Sequence, residues 1–207
     1  SIGRRSPVQL VPVDDVAGVE LDVGSVRLRA LPLAHRVPTL GWRFEEPARM
    51  HLLPDRLAAA GVRGPDAGRL LADGVVHVYD RTVRVEEVGE VRDGQSVAVV
   101  MDTSVCDNAV RLADGVDVLL CEATFLETES FLARDYGHLT AREAATIARE
   151  AGVGRLVPAH FSSRYPDLEG HRREAAEVFP DVVVAADLTV AALAPRPHRE
   201  VPCPHPS

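Results

Sequence analysis

Side chains that bind metal ions or transfer protons occur directly after several predicted strands. These residues are His35, Asp102, Glu122 and His160. A further histidine, His138, stands just before a predicted helix. Because strand ends in layered α/β proteins meet at a common crevice where ligands bind, we expect these side chains to share one pocket.

This set of residue types suits metal-assisted hydrolysis. Neutral imidazoles and a carboxylate are typical ligands of Zn²⁺ and similar divalent ions. The carboxylate of Asp102 could bridge two ions about 3.5–4 Å apart, the spacing of two-metal phosphodiesterases. The helix that begins near Thr140 would direct free N–H groups at an anion such as phosphate.

The same residues also have structural interpretations. A single histidine after a strand is often a surface or core residue, and Asp102-Thr103 is a common turn sequence at a strand end. Glu122 could begin a helix that is capped by Thr124. The residue types and their spacing therefore leave the metal site and the structural interpretation both open.

Composition narrows the class of protein. The chain has 207 residues, of which 46% are apolar, which suits one ordinary domain with a buried core. No apolar run approaches the ~18 residues that a membrane span needs, so we expect a soluble protein with no membrane partner. The net charge of -8 excludes a broadly basic nucleic-acid footprint. The three cysteines form no C-x-x-C pair, which favours a reducing, cytoplasmic location.

Short apolar runs alternate with helical patterns, which predicts an α/β architecture. Strands are predicted at 8–11, 26–33, 40–44, 96–100, 116–120, 155–159, 182–186 and 189–193. Helices are predicted at 55–60, 108–113, 140–151 and 172–178. Residues 47–74 contain several Gly and Pro residues and are predicted to be an excursion from the core, not part of a sheet. The Pro-rich segment 195–207 is predicted to be a tail.

Five segments resemble, in order, the motifs of the ribonuclease Z family, tRNA 3′-processing endonucleases with an αββα metallo-β-lactamase-like fold. These segments are 31–43 (a metal-ligand motif), 101–103 (G-D-T), 121–125 (H-E-A-T-F), 137–140 (H-S-T) and 159–165 (T-H-F-S-x-R-Y). Three residues depart from the motifs: Met101 replaces Gly, Cys121 replaces His and Leu139 replaces Ser.

The resemblance implies a role for each matching residue. His35 and His160 would each bind one of two zinc ions, and Asp102 would bridge them. His138, held by Glu122, would stabilise the transition state or protonate the leaving 3′ oxygen. The excursion resembles a reduced form of the family's tRNA-binding arm, in which the candidate substrate contacts are Arg63, Gly64 and Pro65. Precursor tRNA would be the substrate, and the family's enzymes are homodimers.

One family motif is absent. The H-x-H-x-D-H signature, which supplies most of the metal ligands, occurs nowhere in the sequence. Residues 1–194 therefore resemble only the C-terminal part of the fold, either as a fragment of a longer enzyme or as a truncated product without catalysis. We expect the isolated chain to be inactive and to leave an apolar sheet face incompletely covered.

Three functions remain open at this point. The first is a zinc-dependent endoribonuclease that acts on precursor tRNA. The second is another metallo-β-lactamase-fold hydrolase, with a small phosphodiester or sulfate ester as its substrate. The third is a catalytically inactive remnant that acts as an interaction module.

Overall fold

A computed structural model describes residues 18–193 and 198–199. Its strands are β1 Val19–Val23, β2 Val26–Leu33, β3 Thr39–Glu45, β4 Arg49–Leu52, β5 Val75–Val78, β6 Arg81–Arg84, β7 Gly89–Arg92, β8 Ser96–Val100, β9 Val118–Glu122, β10 Arg155–Ala159 and β11 His198–Arg199. Its α-helices are α1 Pro54–Ala59, α2 Pro65–Asp73, α3 Val85–Val88, α4 Asp107–Ala113, α5 Ser130–Tyr136, α6 Ala141–Glu150 and α7 Glu169–Ala176. A 3₁₀ turn covers Glu127–Glu129.

The described chain divides into two compact units. The first comprises residues 18–45 and 96–193, and the second comprises residues 46–95 with 198–199. No helix within the described ranges combines the length and the apolar character needed to cross a bilayer.

The first unit is built on a six-stranded sheet in the order β1-β2-β3-β8-β9-β10. Strands β1, β2, β3 and β8 pair antiparallel, whereas β8, β9 and β10 pair parallel. Strand β2 thus points the same way as β8, because both are antiparallel to β3. The carboxyl ends of β2, β8, β9 and β10 therefore lie at one edge of the sheet, as the sequence predicts.

One face of this sheet packs against helices to form the main core. Alternate residues of β8 and β9, such as Val100 and Leu119, are fully buried in the same cluster as Leu112 of α4 and Ile147 of α6. Helix α6 begins as predicted from the sequence, because Thr140 and Glu143 form both hydrogen bonds of a capping box. The alanines of α6 let the helix lie close to the sheet.

The opposite face of the sheet is also apolar but less covered. Trp42 is opposite Val99 and Phe44 is opposite Val97 in the β3–β8 register, so these side chains share the face. Phe44 is 41% exposed. This is the kind of incompletely covered apolar face that the sequence led us to expect.

The second unit has a small core of its own, which includes Val62, Leu70, Val83 and Val88. Strand β7 pairs with β4 and β11, and β5 pairs with β6. The sequence predicts an excursion only over 47–74 without sheet, whereas the structure has a unit that extends to residue 95 and contains strands. The unit is larger because the valines after residue 74 bury themselves against its helices, including Leu70 of α2.

Most strand predictions for the first unit agree with the structure to within two residues, and two were wrong. Residues 182–186 and 189–193 are not strands, and Val182 forms only an isolated bridge with Leu156. The backbone of Val183 and Ala185 does donate hydrogen bonds to β10, at Leu156 and Pro158. Pro158 has no N–H to return, so a regular ladder cannot continue along this edge. The predicted strand at 8–11 lies outside the described residues.

Candidate metal centre

Four of the five residues that the sequence singled out lie side by side in the first unit. The ring centroids of His35 and His138 are 5.0 Å apart, and those of His138 and His160 are 5.3 Å apart. Nε2 of His160 lies 3.4 Å from Oδ1 of Asp102. Three imidazoles and a carboxylate therefore share one pocket at the edge of the sheet.

Their donor atoms are close enough to bind a metal ion. One ligand atom each from His35, Asp102 and His138 lies within 4.8 Å of the other two, and the same holds for Glu122, His138 and His160. Two donors of a tetrahedral zinc ion are about 3.3–3.4 Å apart, given bonds of about 2.0–2.1 Å. Nitrogen and oxygen donors at these separations fit Zn²⁺ or a similar divalent ion after small side-chain rotations.

The orientation of His35 is set by the chain that precedes His138. Nδ1 of His35 lies 2.8 Å from the carbonyl oxygen of Gly137. A carbonyl can only accept, so Nδ1 carries the proton and the lone pair of Nε2 points away from this bond. A backbone carbonyl on the second nitrogen is the usual support of a metal-binding histidine.

The backbone at Asp102 and His160 is unusual. Both residues have a left-handed conformation, with φ of 52° and 57°. Among the non-glycine residues that the structure describes, only Tyr79 and Leu188 share this property. Such conformations are costly for side-chain-bearing residues and are concentrated at functional sites, where the surrounding contacts enforce them.

A threonine hydroxyl fixes the ring of His160. Oγ1 of Thr124 lies 3.0 Å from Nδ1 of His160 and 2.7 Å from Oε2 of Glu122. The hydroxyl has one proton, so it accepts from Nδ1–H and donates to the carboxylate. His160 is thereby left with Nε2 facing Asp102.

Glu122 is fully buried and its carboxylate is surrounded by donors. It accepts hydrogen bonds from the backbone N–H of Thr103 at 2.5 Å and of Leu139 at 3.0 Å, besides that of the Thr124 hydroxyl. Both of its oxygens lie 3.1 Å from Nδ1 of His138. Burial of a charge at this depth requires such partners, and here each of them donates. Glu122 therefore fixes His138 with Nε2 directed away from the carboxylate.

Two of the departures from the family's motifs lie in the core and not in the pocket. Cys121 and Leu139 are fully buried in the main hydrophobic cluster. Burial, reinforced by the charge of Glu122, raises the pKa of the Cys121 thiol well above its ordinary value, so the thiol stays neutral. Leu139 serves the site through its backbone N–H, which any residue other than proline supplies.

The loop after His160 is fixed by contacts that the sequence did not reveal. The Tyr165 hydroxyl accepts from the N–H of Leu126 at 2.9 Å and donates to Glu129. Burial and the bond to Glu129 raise the pKa of Tyr165 to about 12. Glu129 also pairs with Arg164 at 2.9 Å, and the bond from Tyr165 lowers the pKa of Glu129.

His171 packs beneath the same loop. It is fully buried, and its ring meets those of Phe161 and Tyr165 edge-on, at 4.9 and 4.6 Å between centroids. Among the described residues, neither ring nitrogen has a partner in hydrogen-bonding geometry, and burial lowers the pKa of His171. The sequence assigned His171 to the structural histidines, and its neutral ring supports the His160 loop from below.

The prediction that α6 directs free N–H groups at an anion was wrong. The N–H of Thr140 donates to Glu143 and that of Ala141 to the carbonyl of Phe125. The N–H of Arg142 donates to Glu174, and that of Glu143 to Oγ1 of Thr140. The donors of this helix end are used within the protein, so an anion near His138 must be bound by side chains or by a metal ion.

The three candidate substrate contacts belong to the second unit. Gly64 precedes α2 with φ of 54°, and Pro65 is the first residue of that helix. Arg63 and Gly64 are exposed. Proline at the first helical position is favourable because its missing N–H would be unpaired there.

Several known proteins are similar in sequence to this chain. The chain is 46% identical over 197 residues to ribonuclease Z of Nocardia farcinica, an alignment that covers 95% of this chain and 65% of that protein. It is 46% identical over 195 residues to ribonuclease Z of Thermobifida fusca, with 91% of this chain and 61% of that protein covered. The chain is therefore similar to ribonuclease Z over most of its own length. It spans somewhat less than two thirds of the length of these curated relatives.

A family model and two solved structures agree on the fold of this chain. A model described as a beta-lactamase superfamily domain matches residues 81–161. The short form of human tRNase Z superposes with a TM-score of 0.53 at 22% identity, covering 87% of this chain and 48% of that one. The Bacillus subtilis metallo-beta-lactamase fold protein YhfI superposes with a TM-score of 0.54 at 20% identity, covering 82% and 50%. The fold is the α/β metallo-β-lactamase-like fold.

Proposed function

We propose that this chain carries part of the catalytic centre of a zinc-dependent endoribonuclease that processes the 3′ end of precursor tRNA. One observation carries the proposal: His35, Asp102, His138 and His160 meet at one sheet edge in a chain that is 46% identical to a ribonuclease Z. The relatives' name supplies the substrate class, and the geometry supplies the residues that would act on it.

Three residues would hold the metal, and His138, which belongs to both clusters of donor atoms, is assigned to proton transfer because its Nδ1 is bound to the buried Glu122. Nε2 of His35 and Nε2 of His160 are the free imidazole nitrogens, because Gly137 and Thr124 occupy the other nitrogen of each ring. The carboxylate of Asp102 lies beside His160 and can contact two ions. A bound zinc ion supplies hydroxide near neutral pH and positive charge beside the phosphate oxygens. A site with three protein ligands for two ions is incomplete, so we expect the 207-residue chain to bind zinc without cleaving RNA.

His138 and Glu122 would handle the proton of the leaving group. Cleavage of a phosphodiester releases an alkoxide at the leaving 3′ oxygen, and this oxygen needs a proton. Glu122 binds Nδ1 of His138 and stabilises the imidazolium, from which Nε2 donates to the leaving oxygen. The buried carboxylate would act by orienting His138 and by its charge.

The second unit would contact the RNA, through Arg63 with the Gly64-Pro65 turn beside it, and the assembled enzyme would be a homodimer by resemblance to its family. Several arginines of this unit are paired with acids, however, such as Arg69 with Asp66 and Arg81 with Glu87. Paired arginines contribute less to phosphate affinity. This observation favours a second candidate, a hydrolase of small phosphodiesters, and a small chromogenic diester is the substrate that would reveal it.

Metal content and turnover test the proposal separately. His160→Ala should reduce the zinc measured by elemental analysis, whereas His51→Ala, at an exposed histidine of the second unit, should not. His138→Ala should keep its zinc. In a longer protein that contains this chain and the missing ligand motif, the same change should abolish cleavage of precursor tRNA. Unchanged zinc in His160→Ala would overturn the ligand assignment, and normal cleavage by His138→Ala would overturn the proton-transfer role.

A further inference from the structure

An arginine lies at the rim of the metal pocket. Arg36 directly follows His35 and is exposed. Its Cζ lies 5.6 Å from the ring centroid of Tyr136, whose side chain is 45% exposed. The guanidinium is therefore held against an aromatic face and still reaches solvent.

The aliphatic part of the Arg36 side chain lies close to Gly137, the residue before His138. A Cβ placed on Gly137 would lie 3.7 Å from Cγ of Arg36 and 3.0 Å from Nδ1 of His35. Arg36 and Tyr136 thus bridge the loop that carries His35 and the loop that carries His138. This arrangement places a positive charge on the loops that carry His35 and His138.

No acidic side chain of residues 18–193 neutralises the charge of Arg36. In residues 18–193 and 198–199, its guanidinium makes no hydrogen bond and no ion pair. Arg164, on the loop after His160, differs because it binds Glu129 at 2.9 Å and Ser162 at 3.1 Å. The donors of Arg36 therefore remain available to a ligand, and a planar guanidinium fits phosphate oxygens best.

We infer that Arg36 binds a phosphate of a single-stranded nucleic acid beside the scissile phosphate, and that Tyr136 positions it. The inference rests on the proposed nuclease function and adds a residue that distinguishes a polymer from a small ester. A small diester has one phosphate, which the metal centre would bind. A polynucleotide presents a neighbouring phosphate to Arg36 as well, so the arginine favours the polymer.

Binding of RNA to the full 207-residue chain, loaded with zinc, tests this inference. The probe is a fluorescein-labelled single-stranded RNA of about 12 nucleotides, titrated by fluorescence anisotropy. Arg36→Gln should weaken binding roughly three- to tenfold and reduce the salt slope, measured between about 50 and 200 mM salt, by about 0.7. Arg36→Lys should keep most of the slope, since it keeps the charge. Tyr136→Leu should give an intermediate loss.

Arg149 provides the matched control. It is also exposed and lies near the end of α6, about 13 Å along the helix axis from Thr140 at 1.5 Å per residue. Arg149→Gln should leave affinity and slope unchanged. Equal binding by wild type and Arg36→Gln, no RNA binding by wild type, or an equal loss in Arg149→Gln would each overturn the inference.

The binding assay also separates this inference from the proposed function. RNA binding that depends on Arg36, together with unchanged zinc in His160→Ala by elemental analysis, would support the phosphate contact and contradict the metal-dependent nuclease. Zinc that depends on His160, with RNA binding indifferent to Arg36, would support the metal centre and overturn the phosphate contact.

Discussion

The two sides of the candidate metal pocket differ in how many of their polar groups have hydrogen-bond partners within the protein. Glu122 and His138 form the closed side, where a fully buried carboxylate has donors around it and fixes the imidazole. Asp102 and His160 form the open side, where the two side chains are 47% and 46% exposed and the backbone is left-handed at both residues.

This difference indicates which part of the site folding alone can complete. On the closed side, hydrogen bonds within the protein compensate the cost of burying a charge. On the open side, Nε2 of His160 and Oδ1 of Asp102 face each other, and both residues have a strained backbone. A cation bound between these two atoms would stabilise this arrangement. The closed side is therefore expected to govern stability and the open side to govern metal affinity.

The largest effect is expected from breaking the closed side. Glu122→Gln removes the charge and turns one oxygen into a donor that faces other donors, so the free energy of unfolding should fall by about 3 kcal/mol. Chemical denaturation measures this loss. Glu150→Gln, at the exposed end of α6, should change stability by less than about 0.5 kcal/mol. A loss below 1 kcal/mol for Glu122→Gln would contradict the account of the closed side.

A smaller loss is expected from the loop that carries the open side. Tyr165→Phe leaves the N–H of Leu126 without its acceptor and removes the bond to Glu129, which should cost about 1–2 kcal/mol. Tyr79→Phe is the control, because Tyr79 is 97% exposed. If the two variants unfolded at the same denaturant concentration, the Tyr165 contacts would have no stabilising role.

Gly137 connects the closed side of the pocket to His35, and a substitution tests this contact. Its φ of 78° and a Cβ contact of 3.0 Å to Nδ1 of His35 predict that Gly137→Ala strains the backbone by about 1 kcal/mol and also displaces His35. Gly152→Ala is a matched control, since φ is 62° there and the added Cβ meets nothing within 4 Å. Both variants should lose similar stability, but only Gly137→Ala should lose zinc affinity, as measured with a chelating indicator. Equal zinc affinity in the two variants would show that Gly137 does not position His35.

The smallest effect is expected at His171 and depends on pH. Because the pKa of His171 is lowered in the folded state, the unfolded chain binds more protons below the unfolded pKa of about 6.5. The contribution of His171 to stability is therefore lost as pH falls below about 6.5, toward and through the folded pKa. His171→Leu should remove this component of the acid dependence and leave stability near pH 8 little changed, because no hydrogen bond is lost. Thermal unfolding measured from about pH 8 to below about pH 6.5 gives this pH dependence of stability. An equal loss of stability with falling pH in wild type and His171→Leu would exclude His171 as its source.

The sequence predicted which candidate residues lie together better than it predicted the contacts that support them. Strand alternation places His35, Asp102 and His160 at strand ends, and the direction of the strands brings those ends together. The supports of these residues come from distant or unremarkable positions: Gly137 acts through its carbonyl, and Tyr165 through a bond to Leu126. Such contacts depend on how loops pack, which periodicity does not encode.

Two of the wrong inferences have the same origin. The sequence around the start of α6 shows only the capping box, which predicts free N–H groups there. In the structure, Glu174 on α7 accepts a hydrogen bond from the backbone N–H of Arg142. The strands predicted after residue 181 have suitable apolar residues, but Pro158 on the neighbouring strand interrupts the ladder. In both cases a residue far along the chain decides the local structure.

Zinc affinity of Asp102→Asn is the most direct test of the central claim, that the strand-end residues form one metal centre. Asparagine tolerates the left-handed backbone and keeps the shape of the side chain, so the variant removes the charge alone. Competition with a chelating indicator should show at least a roughly tenfold loss of zinc affinity relative to wild type. Asp73→Asn, at an exposed position of the second unit, should bind zinc as wild type does. Wild-type zinc affinity in Asp102→Asn would contradict the account.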